Sequence, residues 1–418
     1  MTIGDSGSAR RPKKSVTSKR ALRAQQPLWA SVPYTSVTSR ISPSANHYDV
    51  IIVGAGISGA LAANALLSTG RSVLIIDRRD PVRGSSMAST AMIQHEIDVP
   101  LHRLAREIGL KRSERVWQRS ARAVEELAAT LDQIGIACDF ERKTTLFLAG
   151  SEYGSRALRT EVDARHHAGL DCDFISGAEL KDKYGIERSA AIVSSISASS
   201  NPARMTAGIL NHAAQSGVEI VAGLEIADFR SLDGAVVAAT NTGQILTCGH
   251  LVFCTGYEFL HDLAGKSHSI VSTWALASRP NLKRPPWLDD FLVWEGSDPY
   301  LYFRSTPDGR IIVGGEDDNS ENAYLDRSKA GRKFKRLCDK LARLTGIKIE
   351  EPAFMWSAAF GTTSDGLPMI GNVPGHRNVF AMMGFGGNGI TFSQIGASII
   401  AAEIQGHRDP DAELFGFR

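Results

Sequence analysis

Val50-Ile51-Ile52-Val53-Gly54-Ala55-Gly56-Ile57-Ser58-Gly59 opens the stretch that decides the fold. Four β-branched residues in a row read as a parallel strand buried on both faces. The glycines that follow are spaced G-x-G-x-x-G. Ala60 to Ser68 then gives a small, apolar helix ending at Gly70, and Ser72 to Ile76 gives a second strand closing on Asp77. This is a complete βαβ unit. Within it Gly54 permits a tight turn, Gly56 lets backbone approach a pyrophosphate, and Gly59 lets helix and strand pack closely. Free N–H groups at the start of the helix favour phosphate charge, and Asp77 is placed to accept from a ribose hydroxyl.

Outward from this unit, Leu101 to Ile108 and Arg112 to Ile134 have helical periodicity, and Cys138 to Leu148 is rich in strand formers. Asn201-Pro202 opens a helix through Ala214. Val218–Val221, Ala235–Thr240 and Leu251–Cys254 read as strands, and Ile270 to Gly315 alternates short strands with Pro and Gly turns, the pattern of an antiparallel sheet. A charged helix from Arg327 to Leu344 follows, and the chain returns to strand at Val379–Met382 and helix at Ile390–Ile404. The expected fold is α/β: a Rossmann-like nucleotide-binding domain (47–135, 190–265, 361–418) interleaved with a substrate domain on an antiparallel sheet (136–189, 266–360). No fixed-period repeat occurs, which excludes solenoids and propellers.

The 418 residues are 43% hydrophobic and 22% charged, enough for more than one core, so a small binding module and wholesale disorder are both excluded. Five widely spaced cysteines without a C-x-x-C offer neither a disulfide framework nor a zinc ribbon, which points to a reducing, cytoplasmic compartment. No metal site is expected: the neighbouring His166 and His167 diverge on a helical pattern and read as solvated surface. Residues 1–46 carry eight Lys or Arg against Asp5 alone, a charge of +7 that leaves −5 on the rest. This acid-poor arm has no continuous apolar h-region. It reads as a basic, flexible tail of which Leu28 to Pro33 packs on the body. Gly4-Asp5-Ser6-Gly7 looks like a protease nucleophile motif but has no fold around it. The mildly acidic body does not attract nucleic acid. The longest apolar stretch, Val50 to Leu67, is broken by three glycines, Ser58 and Asn64, so no integral membrane segment is expected.

Four further stretches carry a family resemblance: Arg78-Arg79 with Gly84-Ser85-Ser86-Met87-Ala88-Ser89-Thr90-Ala91; Asn201-Pro202 with Thr206; Phe253-Cys254-Thr255-Gly256; and Asp365-Gly366-Leu367-Pro368-Met369-Ile370-Gly371 with Gly384-Phe385-Gly386-Gly387-Asn388-Gly389-Ile390-Thr391. With the fingerprint, they make the chain similar, from Asp49 to Arg418, to FAD-dependent oxidoreductases of the D-amino-acid oxidase type, which include glycine and sarcosine oxidases. The resemblance implies FAD contacts at Gly54, Gly56, Ile57, Ser58, Gly59, Asp77, Arg78, Arg79, Ser85, Ser86, Ser89, Thr90, Ile226, Thr255, Gly256, Gly386, Gly387, Asn388, Gly389, Ile390 and Thr391. Small residues at Ser85 to Ala91 let backbone approach the cofactor, and amides of Gly386 to Gly389 are expected to point at the flavin edge that turns negative on reduction.

Two departures stand out. Phe360 occupies the position where amino-acid-oxidising relatives carry a carboxylate-gripping Arg, and Ala358 and Ala359 stand where sarcosine-oxidase relatives carry a flavin-linking Cys. FAD is therefore expected to be noncovalent, and the substrate an amine or amino-acid-like small molecule without a simple Arg-held carboxylate. Candidates for the substrate wall are Trp274, Tyr300, Tyr302, Arg304, Glu316 and Trp356, with Arg304 either on a carboxylate or paired with Glu316 or Asp317; Gln94, His95 or Glu96 reaches the site or anchors its loop. The expected reaction is C–N oxidation by hydride transfer, with O2 or another electron acceptor. Oxidation of a hydroxy acid or polyol phosphate, using a His base, is the alternative. A second alternative is a non-catalytic flavin-carrying protein whose arm touches nucleic acid or an anionic membrane.

Overall fold

A computed structural model describes residues 15–263 and 268–418. Strand His47–Val53 lies at the centre of a largely parallel sheet, between Ile245–Gly256 and Val73–Asp77, and the order runs on to Glu219–Ala222 on one side and to Val379–Met383 on the other. Its β-branched run explains this place. Val50 and Ile52 join the core beneath helices Ile57–Leu66, Pro202–Gln215 and Gly389–Ile404, while Ile51 joins a second core on the opposite face. Val73/Ile75 and Leu74/Ile76 repeat the alternation one strand over. Each such side chain contributes about 1.5–3 kcal/mol by leaving water. The opposite face is covered in part by the antiparallel pair Ile226–Leu232 and Ala235–Thr240, which leads into the sheet strand Ile245–Gly256; sequence periodicity does not mark Ile226–Leu232 as a strand.

The second sheet is long and mostly antiparallel. Its order begins at Arg23–Ala24 and runs through Phe354–Thr363, His268–Ala277, Ile311–Asp318, Leu301–Ser305, Phe291–Gly296, Glu141–Ala149 and Ala190–Ser199 to Met92–Gln94. Helix Arg327–Thr345 packs on it through Leu337 and Leu341. Three features differ from expectation. Met92–Gln94 and Ala190–Ser199 belong to this sheet and not to the nucleotide-binding layer: they pair with each other, and Ala190–Ser199 also pairs with Glu141–Ala149. Phe291–Gly296 pairs in parallel with Glu141–Ala149. Residues 15–40 are not a flexible arm but lie along the body: Leu22, Leu28 and Trp29 are buried, Arg23–Ala24 pairs with Ser357 and Ala358, and Arg40 bridges to Val221. Arg10, Arg11, Lys13, Lys14 and the Gly4–Gly7 string lie outside the described residues.

Candidate active site

The glycine fingerprint works through close approach. A Cβ on Gly59 would lie 1.9 Å from the Gly54 carbonyl oxygen, so helix Ile57–Leu66 can seat on its strand only with glycine there. Gly54 itself has φ +119° and passes so near Cys254 that a Cβ would lie 2.3 Å from its carbonyl oxygen. The start of this helix is held by the Ser85–Ala88 turn: Ser86 Oγ accepts from the Ile57 amide over 2.9 Å. Asp77, at the end of the next strand, accepts from the Ala55 and Arg79 amides over 2.7 and 2.8 Å. Burial raises its pKa, and those amides together with the Arg79 charge oppose the rise.

A cavity between the two sheets is lined by Gly54, Gly56, Ile57, Ser58, Asp77, Arg78, Arg79, Ser85, Ser86, Ser89, Thr90, Ile226, Thr255, Gly256, Gly386, Gly387, Asn388, Gly389 and Ile390. Gly59 sits behind it as a packing residue. Thr391 also lies outside; its hydroxyl donates to the Gln94 carbonyl over 3.0 Å and so ties the last helix to the second sheet. At the Asp77 end, Arg78 and Arg79 converge on Glu258, Arg79 Nη1 at 2.8 Å. Glu258 was not foreseen, although two adjacent cations after Asp77 needed a buried counter-ion.

The far end is walled by the long sheet and the glycine loop: Thr273, Trp294, Tyr300, Tyr302, Phe360 and Gln94, with Asp98 facing in. Trp294 Nε1 donates to Glu96 over 3.1 Å, and Glu96 is fully buried against Arg165. Gln94 is 8% exposed and its Oε1 has no hydrogen-bond partner. Asp98 accepts from the Gly387 amide over 2.9 Å, while the walls enclosing it raise its pKa. The Gly386 amide donates to Gly361 and that of Asn388 to Phe385. The expectation for the glycine loop is thereby corrected: the Gly386, Gly387 and Asn388 amides are taken by protein acceptors, and the first-turn amides of helix Gly389–Ile404 remain to meet a ligand. Behind Tyr300 lies Asp317. Burial pushes its carboxyl up to about 7, against the Thr273 and Tyr300 hydroxyls, which favour the charged form.

Four candidates for the substrate wall are elsewhere. Arg304 is 1% exposed, and its guanidinium donates to the carbonyls of Thr90, Ser200 and Ser305 over 2.7, 3.0 and 2.9 Å. Burial pushes its pKa down to about 10. It pairs with neither Glu316 nor Asp317 and does not line the cavity. Glu316 faces Lys340 at 2.6 Å on the covering helix. Trp274 is fully buried with Lys333 over its ring, and Trp356 donates to the Ala88 carbonyl over 2.9 Å. His95 is enclosed beside Trp117 and contacts the Ile196 carbonyl. Among the described residues no helix is long and apolar enough to cross a membrane.

A model of the FAD dependent oxidoreductase (DAO) family matches residues 49–403. The crystal structure of glycine oxidase from Geobacillus kaustophilus has a TM-score of 0.74 at 21% identity, covering 90% of this chain and 99% of that one. L-proline dehydrogenase from P. horikoshii reaches 0.71 at 18% identity, covering 89% and 97%. Among sequence relatives, the tRNA 5-methylaminomethyl-2-thiouridine biosynthesis bifunctional protein MnmC of Burkholderia thailandensis is 22% identical over 407 residues, which are 87% of this chain and 57% of MnmC. With the fingerprint, the two-sheet fold and the cavity between them, this match means that the chain belongs to the FAD dependent oxidoreductase (DAO) family and is an FAD-dependent oxidoreductase.

Proposed function

We propose that the chain oxidises a carbon–nitrogen bond of an amine or amino-acid-like molecule that carries no Arg-held α-carboxylate, using noncovalently held FAD. The cavity suits that cofactor: close backbone at Gly54 and Gly56, Asp77 for a ribose, and the start of helix Gly389–Ile404 at the far end. FAD, when bound, supplies the hydride acceptor, and O2 or another acceptor takes the electrons onward.

The observation that carries the reading is the charge of the far wall. Among the described residues, the cationic side chains lining the cavity are Arg78 and Arg79, both held by Glu258 at the Asp77 end. The far wall offers aromatic rings, hydroxyls, the Gln94 amide and the Asp98 carboxyl. Such a wall holds no cation to grip a carboxylate and offers hydroxyl, amide and carboxyl oxygens to an amine N–H. Before hydride can leave the adjacent carbon, the nitrogen must give up its proton to free its lone pair. Asp317, with its carboxyl pushed up to about 7, takes that proton in its ionised form; its Oδ1 has no hydrogen-bond partner, and the Tyr300 hydroxyl links it to the cavity. Trp294, Tyr302 and Phe360 exclude water until the imine is released and hydrolysed. A hydroxy-acid reaction would call on a histidine base, and no histidine lines the cavity among the described residues.

Anaerobic mixing of the holoprotein with a panel of primary, secondary and cyclic amines, glycine, sarcosine, D-amino acids and hydroxy acids tests this. Amines without a carboxylate should bleach the flavin. Bleaching by hydroxy acids alone, or by glycine and D-amino acids in preference to amines, would overturn it.

A further inference from the structure

The family match begins at residue 49, yet the cavity has lining residues that precede it: Val16, Thr17 and Leu22. They belong to a stretch stitched to both sheets. Ser15 Oγ and Lys19 Nζ donate to the two carboxylate oxygens of Glu225 over 2.5 and 2.6 Å. The Ser18 amide donates to the Phe259 carbonyl, and the Arg20 amide to Glu258 over 3.0 Å. Arg79 returns a bond to the Arg20 carbonyl. Beyond this, Arg23 Nη1 donates to the carbonyls of Arg83 and Gly84 over 2.6 and 3.0 Å, at the root of the Ser85–Ala88 turn, and Arg23–Ala24 then joins the edge of the long sheet. Glu225, Glu258, Arg78 and Arg79 all line the Asp77 end of the cavity. The stretch therefore crosses the nucleotide end of the site and is fixed on both banks.

We infer that residues 15–24 are a further cofactor-binding element, a clasp that closes over the adenosine end of FAD and must lift before FAD leaves. The inference rests on FAD occupying this cavity. Its physical basis is that release through a covered end requires local opening of the cover, so the off-rate carries the cost of breaking the clasp's contacts as well as those of the ligand. One of those contacts, Lys19–Glu225, is an ion pair with Lys19 half-exposed, and Arg20 pairs with Glu321 beside it, so salt should loosen the clasp.

The test is FAD release from purified holoprotein, followed by the fluorescence of freed FAD after dilution. Removal of residues 1–22 should raise the release rate at least tenfold. Removal of 1–14 alone should leave it unchanged. Since the longer truncation could fold poorly, the paired substitution Ser15→Ala with Lys19→Met is made in the full chain; it should speed release severalfold at low salt and reduce the dependence of release on salt. Equal release from the full chain, the truncation to residue 23 and the double variant would overturn the clasp, as would an effect produced entirely by removing 1–14. A full chain that binds no FAD would instead contradict the cofactor assignment, and is seen before any variant is compared.

Discussion

Arg304 Nε donates to the carbonyl oxygen of Thr90 over 2.7 Å, which fastens the Ser85–Ala91 loop to the long sheet from behind. The same guanidinium takes the carbonyls of Ser200 and Ser305 and lies 5.7 Å from the Trp29 ring. Arg304→Met keeps the stem and removes the fork, leaving three buried carbonyls without a donor. It should cost about 2–4 kcal/mol of stability and speed FAD loss, while substrate affinity per bound flavin stays the same. Thermal melting and substrate titration check the two halves; weaker substrate binding at unchanged melting temperature would return Arg304 to the substrate.

Two glycines of the fingerprint should fail in different ways. At Gly59 an added methyl meets backbone at 1.9 Å, so Gly59→Ala should destabilise the apoprotein by about 3 kcal/mol or more. At Gly56 the nearest atom to a new Cβ is a side-chain atom, Ser86 Oγ, at 3.1 Å. Gly56→Val should therefore leave a folded apoprotein that no longer retains FAD, because its branches fill the space meant for the pyrophosphate. Circular dichroism and flavin-to-protein ratio separate the outcomes.

Cys254 is the cysteine lining the cavity among the described residues, and its burial pushes the thiol far up, out of the range where a thiolate forms. A neutral thiol is a poor nucleophile toward a flavin. Acid precipitation should leave a yellow supernatant, and Cys254→Ala should retain FAD equally; flavin in the denatured pellet would show a covalent link.

Asp317 gives the reaction a pH signature. With its carboxyl pushed up to about 7, it is protonated below that pH and accepts a proton above it. Flavin reduction by an amine should therefore rise through about pH 7, and Asp317→Asn should remove that step while amine binding persists. Linkage gives a second readout. A carboxyl whose folded pKa lies above its unfolded value lends stability at low pH and loses it as pH rises through the folded pKa. Asp317→Asn should accordingly look more stable relative to the native chain at pH 8 than at pH 5. A rate profile left intact in the variant would remove Asp317 from the proton path.

The strand at Val50 and the helix at Ile390 were legible because apolar periodicity and glycine spacing are local signals. Arg304 was misread for a geometric reason. Tyr302 and Arg304 share a face of their strand, but the cavity ends between them, and beyond its edge the face is covered by the Thr90 loop and Trp29. Periodicity finds a face; it does not find where the face is covered. The basic arm had its clue in the opposite charges of arm and body. Which acids would receive it, Glu225, Glu258 and Glu321, depended on loops brought together only in the folded chain. Asp317 lacked any signal, since one acid after Glu316 looks like any other on a strand.

The pairing of Ile52 with Val252, and of Val252 in turn with Phe380, has a consequence for synthesis. As the chain leaves the ribosome, strand His47–Val53 waits for a neighbour encoded far downstream, and that neighbour waits for one encoded further downstream still. Until Val379–Met383 emerges, the strand edge at Leu251–Phe253 is open to pairing with other nascent chains. Such non-local pairings predict slow folding, and they make the nascent chain a client for chaperones until Val379–Met383 has paired.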